Sequence, residues 1–275
     1  MIEPGLRHDL SNDEYHAITD WFSSSQLKAA LPEHYKPGGS QEALDFGTLF
    51  HTAVLEPDNL AGYVALDATA IAGNNPKTGK PYDAPHMTAK FKAAVAEASE
   101  SGSTVVAQAD LDRALRMSEA LRDHATAAQL LFGPEGTNEE SAFAVDDDGV
   151  RHKARFDRRI PGAIVDLKST SAKPGRHSLT RAAIDYGYDV SAAHYLAVAD
   201  LLGLDAPAFA LVFVSKDDKP RVTVAEIDGT LLARGAELRR RAIERLTTPD
   251  APAYEGATGF LTLTAPRWAE LETSA

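Results

Sequence analysis

Apolar residues recur at three- and four-residue intervals through the first half of the chain, then at alternate positions from Asn138 onward. Residues 23–31, SSSQLKAAL, predict a short helix with a serine N-cap. Residues 42–56, EALDFGTLFHTAVLE, predict a second helix that Pro57 stops, with Leu44, Gly47, His51, Val54 and Leu55 near one face. A Gly/Pro-rich loop follows over 73–86, then helices over about 88–100 and 109–131. The alternating stretch EESAFAVDDDGVRHKARFDRRIPGAIVDLKST carries turn signals at DDDG and IPGA, which predicts three short antiparallel strands. One helix is expected over 176–202, with Ile184, Tyr188, Tyr195, Val198 and Leu202 as its apolar stripe. A strand–turn–strand over AFALVFVSKDDKPRVTVAEID and a final helix with an Arg-rich outer face, TLLARGAELRRRAIERL, complete the pattern. The order predicts an α/β fold with a mixed sheet flanked by helices. It is read as a single domain over 1–275: a mainly helical part (1–135), the sheet and its helices (136–248), and a loose tail (249–275).

Composition narrows the chemistry. The chain has 275 residues, enough for a substantial core. It has no cysteine, which excludes disulfides, thiolate zinc sites and Cys-ligated iron–sulfur clusters. The N-terminus lacks a basic segment followed by an apolar one, and APAFALVFV (206–214) is too short to span a bilayer, so a cytoplasmic protein is expected. Net charge is −12, yet residues 151–181 hold nine Lys/Arg against two Asp, so that segment carries +7 and the rest −19. Such a segment is either a localised phosphate-binding surface or the charged faces of strands that alternate with core.

Several familiar motifs fail. GNNPKTGK has five residues between Gly73 and Gly79, and Pro81 where a P-loop needs Ser or Thr. H-E-x-x-H, G-x-S-x-G and G-x-G-x-x-G are missing.

What remains is the acidic strand pair. In IVDLKST, Asp166 and Lys168 are two apart and project from one face. Asp157, in ARFDRR, lies one hairpin earlier. Two carboxylates held together repel unless a cation lies between them, and Mg²⁺ accepts such oxygen ligands. The alternative is a salt-bridged hairpin at a sheet edge. His51, on an apolar helix face, is likewise either a satisfied core histidine or a ligand.

In this order the landmarks resemble the RecE-like phage and prophage exonucleases, a RecB-type, lambda-exonuclease-like branch of the PD-(D/E)xK nucleases. SSSQLKAAL resembles that family's Ser-x-Leu-Lys helix start, DFGTLFHTAVLEP its G-x-x-x-H helix, and EESAF its E-x-S strand. KARFDRR, IVDLKST and YGYDVSAAHYL resemble its R-x-D strand, D-x-K strand and following helix. The resemblance covers roughly residues 15–230. It implies Asp157, Asp166, His51 and the Leu167 backbone carbonyl as metal ligands, Lys168 as the catalytic lysine, and Glu139 as a supporting acid, with Glu140 the adjacent alternative. It implies Gly47 as the residue that lets the His51 helix pack closely on the acidic sheet. It also implies DNA or 5′-phosphate contacts from Ser25, Arg155, Ser191, Tyr195 and Arg181. Ser191 departs from the family's Gln, a loss for which Arg181, His194 or a water could compensate. The implied activity is Mg²⁺-dependent (Mn²⁺ substituting) 5′→3′ digestion of linear double-stranded DNA. The implied partners are a homo-oligomeric ring and a RecT-like single-strand annealing protein. The rivals are a structure-selective or single-strand nuclease of the same fold, whose iron–sulfur branch needs cysteines, and a non-catalytic DNA-binding relative.

Overall fold

A computed structural model describes residues 2–36 and 39–254; the tail reading beyond 254 lies outside the described residues. The elements are β1 (Gly5–Arg7), α1 (Asn12–Ala17), α2 (Ser24–Ala29), α3 (Gln41–Leu55), β2 (Tyr63–Leu66), α4 (Ala68–Ala72), α5 (Ala89–Glu100), β3 (Thr104–Ala107), α6 (Gln108–Asp123) and α7 (Ala125–Phe132). They continue with β4 (Thr137–Val145), β5 (Arg151–Ile160), β6 (Ala163–Thr170), α8 (Arg176–Asp185), α9 (Tyr188–Leu201), β7 (Ala208–Ser215), β8 (Val222–Glu226) and α10 (Gly229–Thr247).

Six strands form one sheet in the order β1-β4-β5-β6-β7-β8. Only β6 and β7 run parallel, joined by the α8–α9 crossover; the other neighbours are antiparallel. Alternation sends Val165 and Leu167 of β6 to one face, against Leu49, Phe50 and Val54 of α3 and Met117 and Leu121 of α6. Ile164 goes to the other, with Phe156, Phe209 and Leu211, against Leu179 of α8 and Ala192 of α9. Each fully buried Leu or Phe contributes about 1.5–3 kcal/mol, so these two layers fix α3 and α9 over the middle of the sheet.

Local chemistry sets the helix ends. Ser23 caps α2 with Gln26 reaching back, a capping box. Ser40 caps α3, and Pro57 follows its end. Asn138 of β4 donates to the Leu55 carbonyl at 2.7 Å, tying the C-terminus of α3 to the sheet.

Three expectations are corrected. The helix over 176–202 is two helices: Gly187 between them has φ +66°, and a Cβ there would lie 2.6 Å from the Lys28 stem and 2.8 Å from the Tyr35 ring. The helix over 109–131 breaks at His124, whose ring caps α7 by accepting from the Ala127 amide. Within the mainly helical N-terminal part, β1 extends the main sheet and β2 pairs in parallel with β3. The arginines of α10 are not simply an outer face either. Arg234 pairs with Asp189, Arg239 donates to His194, and Arg245 holds the Ala30 carbonyl and Glu33. No helix among the described residues is long and apolar enough to cross a membrane.

Candidate active site and metal centre

The sheet opens around Asp157. The β4–β5 ladder pairs Asn138 with Arg158 and Glu140 with Phe156 but leaves Glu139 and Asp157 between them out of register. Glu139 has φ +51°, a left-handed conformation that a non-glycine residue adopts at a cost of about 1–3 kcal/mol. On the other side, β5 and β6 pair only from Arg158–Val165 outward. In place of that ladder, the Leu167 amide donates to Asp157 Oδ2 at 2.7 Å. Asp157 therefore sits in a split between strands, where the Leu167 amide fixes one of its carboxylate oxygens.

His51 enters the split from α3. Its Nε2 lies 2.9 Å from the Leu167 carbonyl, and its Nδ1 lies 3.7 Å from both Glu139 Oε1 and Asp157 Oδ1. With Nε2–H donated to that carbonyl, Nδ1 faces the carboxylates, and its lone pair is free for a cation once the ring gives up its second proton. Donor atoms of His51, Glu139 and Asp157 all lie within 4.8 Å of one another. Lys168 stands beside them, its Nζ 2.6 Å from Asp166 Oδ2 and 3.8 Å from Asp157 Oδ2. The two aspartates are thus brought around one ammonium group, as their spacing suggested. The Leu167 carbonyl, expected as a ligand, is engaged by His51 and by Lys168 Nζ at 3.3 Å.

Charge is concentrated and largely desolvated. Burial raises the Asp157 carboxyl to about 6, because His51 and Lys168 only partly offset it. Burial opposes the His51 imidazolium, but Asp157 and Glu139 outweigh it and raise that group to about 9. Burial also opposes the Lys168 charge, and Asp166 and Asp157 outweigh it, holding Lys168 above the usual lysine range. Glu139 is held low despite burial, by His51 and by Arg155, whose Nε donates to it at 2.8 Å.

The donor set fits a divalent cation: one imidazole nitrogen and two carboxylates converge, while Asp166 is held in its ion pair with Lys168. Imidazole with carboxylates suits Mn²⁺ at least as well as Mg²⁺.

The remaining expected residues separate. Between the two adjacent acids, Glu139 joins the cluster, whereas Glu140 is fully buried against Arg159 at 2.6 Å. Arg155 acts by holding Glu139 and also donates to the Ser141 hydroxyl and the Leu10 carbonyl. Tyr195 packs edge-on against Phe156 and Phe209, bonded to the Ser24 hydroxyl, at the side of the core layer. Ser25 is exposed; Ser23 is the cap and Ser24 the buried hydroxyl. Arg181 is exposed near Asp185, and His194 is fully buried against the Lys153 carbonyl.

Ser191 is met by Lys28, whose Nζ donates to its Oγ at 3.2 Å; burial together with the nearby Lys168 lowers Lys28 to about 8. It was visible in SSSQLKAAL, but a helix-end lysine carries no sign that a glycine 159 positions away leaves its stem a path inward.

Gly47 also departs from expectation. A Cβ there would meet nothing within 4 Å, so it serves no close packing against the sheet. It lines an open groove of about 680 Å³ in front of His51, with Glu139 and Lys168 at its base. The +7 segment is mostly spent internally. Arg151 pairs with Asp20, Lys153 holds the Tyr15 and Ile18 carbonyls, and Arg158 holds the Leu130 and Gly133 carbonyls.

Residues 12–251 match the PDDEXK-like domain of unknown function (DUF3799), and the chain belongs to that family, within the PD-(D/E)xK nuclease superfamily. Among solved structures it is similar to the crystal structure of a "Putative exonuclease" from Eubacterium rectale, with a TM-score of 0.53 and 15% identity over 86% of each chain. That likeness concerns the fold. No curated protein matches by sequence.

Proposed function

We propose that this protein is a metal-dependent deoxyribonuclease of the RecE type, digesting linear duplex DNA 5′→3′ and leaving 3′ single-stranded tails for strand annealing. The observation that carries the reading is the split sheet, where His51, Glu139 and Asp157 converge beside the Asp166–Lys168 pair. Mg²⁺ or Mn²⁺ bound there would supply a Lewis acid toward a phosphoryl oxygen. The chain's own residues do the rest. Leu167 fixes Asp157 through its amide and His51 through its carbonyl, so one residue of β6 orients two ligands. Arg155 holds Glu139. Lys168, kept charged by two carboxylates, places a cation where negative charge grows on the phosphate. Lys28, close enough to feel the Lys168 charge, and its partner Ser191 offer a second polar contact.

The 5′→3′ polarity, the linear duplex substrate and a RecT-like annealing partner are supported by the resemblance of the ordered motifs. The test is linear duplex labelled at either the 5′ or the 3′ ends, with closed circular DNA alongside. The expected result is early release of the 5′ label as small products, the 3′ label persisting on long single strands, and intact circles. Early release of the 3′ label, or cleavage of closed circles, contradicts the reading.

A further inference from the structure

A second groove, about 780 Å³, adjoins the one before His51 and shares Leu44 of α3 with it. It starts at Ser169, Thr170 and Ser171, directly after Lys168 on β6, and runs along α8. Its cations are Lys36, Lys173, Arg181 and Lys216, with His177 beside them. Its one carboxylate, Asp185, is already paired with Lys36 at 2.7 Å and lies 3.7 Å from Arg181. The groove before His51 has the opposite character, with Asp13, Glu56 and Glu139 on its walls. The surplus of cations draws phosphates to the second groove.

The basic groove also holds an aromatic platform. Tyr186, at the end of α8, is 44% exposed. Its ring stacks on Tyr188 with centroids 6.1 Å apart and planes 29° apart. The Tyr188 ring lies 5.6 Å from Lys168 Nζ. A continuous path therefore leads from the catalytic lysine through Tyr188 to an open aromatic face among cations and hydroxyls. Stacking platforms within basic grooves suit unpaired bases, since every base offers a π-face once it has left the duplex.

Resting on the nuclease reading above, we propose that this groove holds the single strand of DNA adjoining the scissile phosphate, with one base stacked on Tyr186 and the backbone followed by Lys173 and Arg181. The platform favours a single strand because a base inside a duplex has both faces stacked on its neighbours.

The test uses the full chain in EDTA, where nothing is cleaved, and fluorescence anisotropy with a labelled short oligothymidylate and its abasic counterpart. Tyr186→Ala is expected to weaken oligothymidylate binding about five- to a hundred-fold, from about 1–3 kcal/mol per stacked base. Tyr186→Phe should keep it, and the abasic strand should bind the parent and Tyr186→Ala alike. The proposal is overturned if Tyr186→Ala binds as the parent does, or if the parent holds the abasic strand as tightly as oligothymidylate. Cleavage of duplex in Mg²⁺ is read separately. Missing cleavage with intact Tyr186 dependence sinks the nuclease reading and leaves the groove, whereas cleavage without Tyr186 dependence sinks the groove alone.

Discussion

Two protons stand between the candidate ligands and any cation they bind. Asp157 is raised to about 6 by burial, and His51 to about 9 by Asp157 and Glu139 acting against burial. A cation must displace the proton from each, so metal affinity falls as pH falls. Between about pH 6 and 9 only His51 is protonated; one proton should leave per ion, and affinity should drop about ten-fold per pH unit. Below about pH 6 both are protonated, two protons leave, and the drop becomes about a hundred-fold per unit. Calorimetric titration with Mn²⁺ in buffers of different ionisation enthalpy measures the proton count directly. A count of zero at pH 7 contradicts the assignment of His51 as a ligand. The chemical types at this scale were legible only through the resemblance of the ordered motifs, because D-x-K alone reads equally as a salt-bridged hairpin. The choice of Glu139 over Glu140 was not legible by alternation, since it depends on a left-handed residue that shifts the phase of the strand.

At the scale of elements, two helix glycines have opposite roles. Gly47 of α3 faces open groove, and Gly235 of α10 lies where a Cβ would come within 2.1 Å of the Asp189 carbonyl of α9. Gly47→Ala should therefore stabilise the protein by about 0.5–1 kcal/mol through helix propensity. Gly235→Ala should destabilise it by about 1–3 kcal/mol through overpacking against backbone. Thermal unfolding of both variants checks the signs; a stabilising Gly235→Ala contradicts the close approach of α9 and α10. The three central strands and α3 were legible because their apolar periods are regular and their ends carry Ser, Pro and Gly signals. The break at Gly187 was hidden by a stripe that continues across it. The β2–β3 pair was hidden because its partners are about forty residues apart and each spans four residues.

The whole molecule carries −12, and most cations of the basic segment are buried in ion pairs or carbonyl contacts. Charge counting along the sequence overstated the surface available to phosphate, because a strand cation facing inward counts the same as one facing water. Lys173, Arg181 and Lys216 remain for the groove beside Lys168. Single-stranded DNA binding in EDTA should therefore show a shallow salt dependence, with log K falling against log salt at a slope of about −2 to −3. A slope of −6 or steeper, in the sense of about −0.7 per phosphate neutralised, means that the buried cations meet DNA and contradicts this surface. The central claim is that His51, Glu139 and Asp157 bind a divalent ion for phosphodiester cleavage. Its most direct test is nucleotide release from linear duplex DNA by the parent and Asp157→Asn, each with Mg²⁺, Mn²⁺ or EDTA. The account predicts release by the parent only with a metal ion, and at least a hundred-fold less from a folded Asp157→Asn. Equal release in EDTA, or undiminished release by Asp157→Asn, would contradict it.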